Sequence, residues 1–543
     1  MTSTATALAE PAPTTKKPKS LRPVRDNIES FAIAILFAVL LKPFLIEAYM
    51  IPTPSMQPTM MGSREAGVHD RLLVDKLCYA WGDPKRWDIA VFRYPIRQIQ
   101  SYVKRIVGLP GDRFVIAGGN LVPVDAEGKE QTPLRRPAKL QSRIWMNLFP
   151  ARMYIDGGTR ALEGFFSPQP TRGWTEEGGV LQVSNEPQRS VTLSYVDSAH
   201  GGVCNRIYDG YPTSVARAMR GSPELGNIPY EGVPDARIGF TLTPSAAIDD
   251  VSIELDVKRA GKKSLRFGFT ASAGQGKLWI KEDGREVKAS ESFPFALPLG
   301  TATAVRFTHL DGQLRAEHDG ALAGELECLP YLVLDDVEMQ PRSGAGGSYV
   351  SGVAPFIAVR GGGTLRFGDL TVDRDLHYKR GTVPKGQPIE VPAGHYFMMG
   401  DNPDQSADAR EWTALTVGVD AQDRVVDPSR NSAAAKMVGN ARAQGLSDPV
   451  DADENPVLVP EHDAVVFTDL VGEVHVLRGK PALSTDPDRS YGKRAVWFEG
   501  EAGPWSPPTH KVQFVPRAHV LGRPVLSFWP IWPFGPHRFD VIR

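Results

Sequence analysis

A long apolar run close to the N-terminus constrains this chain more than any other feature. "FAIAILFAVLLKPFLIEAYMI", Phe31 to Ile51, follows a basic cluster at Lys16, Lys17, Lys19, Arg22 and Arg25. A helix over such a run rises about 30 Å, one hydrocarbon core. Lys42 and Glu47 lie near its distal end, where their charges can snorkel, and Pro43 can kink it. The basic flank stays cytoplasmic and puts the rest of the chain outside. A cleavable leader has a similar layout, but this run passes into "EAYMIPTPSM" without a small-x-small site. The flanking charge and the Pro-rich sequence beyond argue against a buried core helix. The expectation is an uncleaved anchor over 28–50 behind a disordered tail, 1–27.

Beyond the anchor the texture is β. The 543 residues include 52 glycines and 46 prolines among Val-, Thr- and Phe-rich runs, and the length asks for several domains. A net charge of −1 speaks against a mainly nucleic-acid-binding surface. Cys78, Cys204 and Cys328 show no metal spacing. A Cys204–Cys328 bridge would leave one odd thiol, so three small hydrophobes is the favoured reading. "RLLVDKLCYA", "DIAVFRYP", "SYVKRIVG" and "DRFVIAGG" read as short strands of a compact domain, 51–118. Residues 119–235 read as loop-rich. From 237 to 377 the apolar/polar alternation and the DG and GG turns predict the hairpins of a β-sandwich. That sandwich sits inside an insertion spanning 119–390. A short block at 391–412, a second irregular insertion at 413–512 and terminal strands with an aromatic tail at 513–543 complete the chain.

Three stretches carry candidate chemistry. In "IPTPSMQPTM", Ser55 is flanked by Pro52, Pro54 and Pro58, which stiffen the backbone around a potential nucleophile. Pro54 has no N–H, but the N–H of Ser55 and the hydroxyl of Thr53 could serve an oxyanion. A serine needs a base. None of the 11 histidines forms an obvious triad pattern, whereas Lys104 sits in the apolar "SYVKRIVGLPGD". At an ordinary pKa of about 10.4, only about one lysine in 2,500 is neutral at pH 7, and desolvation raises that fraction. Strand alternation puts Lys104 on the face of Tyr102 and Ile106, and Arg105 on that of Val103 and Val107. The competing reading is an ordinary strand lysine pointing into water. In "GDNPDQSADAR", Asp401, Asn402, Asp404, Ser406, Asp408 and Arg410 crowd one loop. It lacks the glycine and terminal glutamate of a calcium loop. Ser406 could orient the lysine amine, and Asp408 and Arg410 could pair. An Asx-rich surface turn is the bland alternative.

In this order after an apolar segment, "IPTPSMQPTM", "DRLLVDK", "YVKRIVGLPGD" and "GDNPDQSADAR" resemble the signature blocks of type I signal peptidases, and "VPRAHVLGRPVLSFWP" is similar to that family's C-terminal strands. The resemblance implies a mainly β, antiparallel catalytic core on a transmembrane helix. It implies a Ser–Lys endopeptidase that removes signal peptides after small-x-small sites, with no metal and no cofactor. On matching positions Ser55 is nucleophile, Lys104 base, Thr53 an oxyanion donor and Ser406 the lysine-orienting group. Asp408, Arg410 and Arg105 support the site. Ile51, Pro52, Met56 and Val103 line shallow pockets. Exported preproteins are the implied partners, with membrane lipid and the secretion translocon as further candidates and no nucleic acid. The implied place is the inner (plasma) membrane, single-pass, with the catalytic domain on the outer or periplasmic side. Pro54, Pro403 and Ala409 depart from the family's usual residues without touching the dyad. The sandwich resembles laminin-G or concanavalin-like folds in texture only. Glycan binding, substrate guidance and protein docking would read alike there. Two other functions compete. One is a catalytically silent, membrane-tethered protein that presents the sandwich, which degraded catalytic positions would favour. The other is a self-cleaving or repressor-type Ser–Lys peptidase, which the anchor and the GDN block speak against.

Overall fold

The computed structural model describes residues 29–32, 46–63, 68–98, 100–149, 166–170, 172–195, 207–210, 231–259, 261–333, 337–338, 340–341, 349–350, 352–439, 457–459, 463–479, 481–483, 496–500, 503–505, 508–529 and 540–542. Strands dominate them. The main sheet uses seven strands that come from both ends of the sequence. They are β1 (Ile46–Met50), β2 (Arg71–Asp75), β3 (Ile89–Arg93), β4 (Ser101–Gly108), β5 (His395–Met399), β6 (Val515–Pro516) and β7 (Val520–Trp529). Their order is β1-β2-β7-β3-β4-β5-β6, all antiparallel neighbours, with Asp540–Val541 added beside β7. Alternation decides which side chains enter the core. In β2, Leu72 and Val74 are buried while Arg71 is exposed.

The expected anchor needs a correction at its distal end. Ile46–Met50 is not helix but an edge strand, paired with Arg71–Asp75. Its alternation points Ile46, Ala48 and Met50 outward. Glu47 does not snorkel from a helix end: it bonds Lys76 Nζ at 3.0 Å and the Tyr49 hydroxyl at 2.9 Å. Residues 29–32 are helical, while Lys42, Pro43 and most of the apolar run lie outside the described residues. Among the described residues no helix is long and apolar enough to cross a membrane.

The inserted sandwich is larger than the expected 237–377. Its two eight-stranded antiparallel sheets draw strands from Met146–Phe149 through Gly363–Arg374, so the stretch expected to be loop-rich supplies five of them. Val180–Asn185 pairs with Gly363–Arg374 in one sheet, and Ser190–Tyr195 pairs with Val353–Gly361 in the other. One continuous core fills the space between the sheets, with Val251, Ile253, Leu255, Phe267, Phe307 and Leu365 fully buried. The DG turns do what their residues allow: at 283–284, 311–312 and 319–320 both loop residues have positive φ, as tight type I′ hairpins require.

Both insertions leave and re-enter the core at adjacent points. Gly119 and Tyr378 form a β-bridge at the root of the first, and the Val512 N–H reaches the Trp412 carbonyl at the root of the second. Asn120–Pro123 and Ile389–Glu390 pair with Arg113–Ala117, so the margins of the expected 119–390 insertion belong to the core. Cys78 and Cys328 are free thiols, the latter fully buried; Cys204 lies outside the described residues. The aromatic tail lies there too, apart from Phe528, which is partly buried, and the backbone of Trp529.

Candidate active site

The turn after β1 builds the first part of the site. Pro54 opens a one-turn 3-10 helix, Pro54–Met56, where its fixed φ suits the first position and its missing N–H costs nothing. Pro54 thus fits the first position of this turn. Its carbonyl accepts the Gln57 N–H at 3.1 Å. Ser55 is 4% exposed, and its Oγ lies 3.3 Å from the Thr53 hydroxyl. Below the turn, Ile51 and Met56 pack with Met60, Leu72, Val74, Ile89 and Val91, with partly buried Val103 against them. Three of the four expected pocket residues thus share one cluster. Pro52 is half-buried and outside it.

Lys104 lies on β4 opposite Ala90 and is only 3% exposed, which rules out a strand lysine in water. Its Nζ stands 5.8 Å from the centre of the Tyr102 ring, on the expected face. Tyr102 stacks on Tyr94 at 4.4 Å, and Trp412 stands edge-on to Tyr94 at 5.3 Å, so aromatic packing backs this face. Arg105 also avoids water. It is fully buried and grips Asp401 with two bonds, Nε to Oδ1 at 2.7 Å and Nη2 to Oδ2 at 2.6 Å, while Nη1 reaches the Trp87 carbonyl at 2.8 Å. The fork geometry suits a bidentate carboxylate pair.

The loop after β5 joins these parts. Asp401 also accepts the Thr59 hydroxyl at 2.5 Å, so one carboxylate connects β4 to the Ser55 turn. Asn402 donates its backbone N–H to the Ser55 carbonyl at 3.1 Å and its side-chain amide to the Pro54 carbonyl at 3.2 Å. Gly400 is required for this approach. A Cβ there would come within 2.2 Å of Ser406 Oγ and 2.3 Å of the Ser55 carbonyl oxygen. Arg410 forms the second clamp, with Nε to Asp408 Oδ1 at 2.7 Å and Nη2 to Oδ2 at 2.8 Å. Burial alone would raise the Asp408 carboxyl, but the Arg410 guanidinium outweighs it and, with the nearby Lys104 charge, holds Asp408 below the usual carboxylate range. The loop is thus no surface turn. Ser406 is buried beside Ser55, but its Oγ has no hydrogen-bond partner among the described residues, so the expected bond to the lysine amine is not made here.

Sequence reasoning assigned no role to Thr59, Asp401, Asn402 or Gly400. A buried arginine requires an anionic partner, and that requirement could have tied Arg105 to the GDN carboxylate. Nothing local marks Thr59.

Residues 24–149 and 363–426 match the family described as signal peptidase, peptidase S26. The interruption between them takes out most of the sandwich. A signal peptidase I of Leptolyngbya laminosa is 29% identical over 137 residues, 24% of this chain and 64% of that protein. A signal peptidase I of Pseudomonas aeruginosa is 33% identical over 155 residues, 25% of this chain and 52% of that protein. The match to each relative therefore spans less than two thirds of its length. Among solved structures, a carbohydrate-binding module from Bacillus subtilis matches 39% of this chain and 97% of its own at 9% identity, but its TM-score of 0.22 is too low to assign fold or ligand.

Proposed function

We propose that this chain is a membrane-bound signal peptidase of the Ser–Lys type. Its substrates are exported preproteins, cut after small-x-small sites on the outer side of the membrane. The carrying observation is that Ser55 and Lys104, far from surface positions, are both nearly fully buried on elements cross-linked by the 400–410 loop. The base form of a lysine is its neutral amine, which desolvation favours in general. Lys104 then takes the Ser55 proton as Oγ attacks the scissile carbonyl. The Ser55 N–H and the Thr53 hydroxyl receive the developing oxyanion. Lys104 returns the proton to the leaving amine, the new N-terminus departs, and a water activated by Lys104 releases the acyl group from Ser55. Asp408–Arg410 and Arg105–Asp401 hold the frame, and a small motion brings Ser406 to the amine. Ile51, Met56 and Val103 offer an apolar floor for small side chains, with Pro52 at its edge.

The anchor of this reading is the apolar run, shortened to end before Ile46. The reading of the sandwich as laminin-G or concanavalin-like is supported only by its two-sheet, one-core architecture. Cleavage of a preprotein in lipid by the full chain tests the function. Processing at the small-x-small site, lost in Ser55→Ala and in Lys104→Ala, supports it. Folded wild type that cleaves no preprotein, or variants that still cleave, would refute it.

A further inference from the structure

Lys379 follows the last sandwich strand and belongs to neither insertion nor sheet. Its Nζ lies 2.6 Å from Asp404 Oδ1 and also pairs with Asp209. Its carbonyl accepts Arg410 Nη1 at 2.8 Å. Ser406 is thus flanked by two points that this single residue holds, Asp404 two positions before and Arg410 four positions after. Asp404 lies within the one-turn 3-10 helix Pro403–Gln405, whose C-terminal flank is Ser406 itself. Asp209 belongs to the sandwich side. Its segment bonds through the Ile207 N–H to the Val353 carbonyl, bridges Tyr208 to Gly232, and offers the Asp209 carbonyl to Arg374.

Two carboxylates share one ammonium here, with Asp209 buried and Lys379 and Asp404 partly buried. Burial alone would lower the Lys379 amine, but Asp209 and then Asp404 outweigh it and keep it charged. Burial and the Asp209 charge push the Asp404 carboxyl up to about 6, against the pull of Lys379. Removing one carboxylate leaves a largely buried ammonium with a single partner.

We infer that Lys379 is a positioning residue for Ser406, and that the inserted sandwich, through Asp209, is a working part of the catalytic centre rather than a tethered accessory. This inference rests on the peptidase reading above. It makes the sandwich one wall of the loop that must meet the lysine.

The test uses the full chain in lipid with a preprotein carrying a small-x-small site. Lys379→Met should lower kcat about 10- to 100-fold, the scale of a small misplacement, with KM changed by less than about 2-fold. Asp404→Asn, which keeps the Asp209–Lys379 pair, should move kcat in the same direction. The same Lys379→Met change in a Ser406→Ala background should cost less than about 2-fold, because a residue that acts through Ser406 has nothing left to position. Hydrogen exchange across 400–410 should rise in Lys379→Met whether or not substrate is cleaved. Wild-type kcat in both variants, or an equal loss with and without Ser406, would overturn the inference. If wild type cleaves no preprotein, the peptidase reading fails by itself. Unchanged exchange across 400–410 would then overturn the bridge as well.

Discussion

Asp401→Ala removes the acceptor that holds Arg105, and its cost can be worked from the geometry. Arg105 is fully buried and spends three donors, two on Asp401 and one on the Trp87 carbonyl. The substitution deletes two charge-assisted bonds and strands a guanidinium out of reach of water. Removing one partner of such a pair costs about 3–5 kcal/mol. Thr59 is only partly buried and can turn to solvent, so it adds little. A loss of about 3–5 kcal/mol multiplies the opening of β4 and β5 by roughly a few hundred to a few thousand. Hydrogen exchange followed by mass spectrometry on peptides from 101–108 and 395–399 reads that opening locally, which suits a multidomain chain better than one global unfolding free energy does. Arg105→Met combined with Asp401→Ala removes the stranded charge and should exchange more slowly than Asp401→Ala alone. Exchange in Asp401→Ala within about 5-fold of wild type, or a double variant no slower than the single, would refute the reasoning.

Thr53→Val should lower kcat about 10²-fold with KM little changed, the scale of one lost oxyanion donor, and steady-state kinetics with Thr53→Ser as the retaining control checks it. Gly400→Ala should lower kcat about 10²-fold while thermal unfolding of the sandwich stays unchanged, since the added methyl meets Ser406 Oγ and the Ser55 carbonyl. Asp311 lies in a hairpin turn beside Asp235 and Asp375; burial, then those two charges, push its carboxyl from the ordinary 3.8 up to about 8, against Arg136. Between those values the folded protein keeps a proton that the unfolded chain has lost, so this group makes stability fall as pH rises from about 4 to about 8. Asp311→Asn should flatten that fall in thermal melts, and parallel pH curves for the two proteins would count against it.

The site was legible where chemistry is local in sequence. Ser55 between prolines marks a turn and Lys104 in an apolar run marks a strand, and the structure has a turn and a strand there, while the burial of Ser55 was not readable from its prolines. The sandwich was legible from its DG hairpins, but not its start, because Val180–Asn185 and Ser190–Tyr195 pair with strands some 170 positions away. Short strands that depend on distant partners carry weak local patterns. The end of the anchor was hidden for another reason. "IEAYM" continues the apolar run, and only its pairing with Arg71–Asp75 makes it a strand. Thr59 and Lys379 left no trace, since their roles arise wholly from tertiary proximity.

The account stands on Ser55 as a nucleophile that carries the acyl group, and intact-mass analysis of an acid-quenched single turnover measures this most directly. The account predicts a transient mass increase equal to the acyl half of the substrate, mapped to the peptide containing Ser55 and absent in Ser55→Ala. Cleavage that proceeds with no adduct on Ser55, and persists in Ser55→Ala, would contradict it.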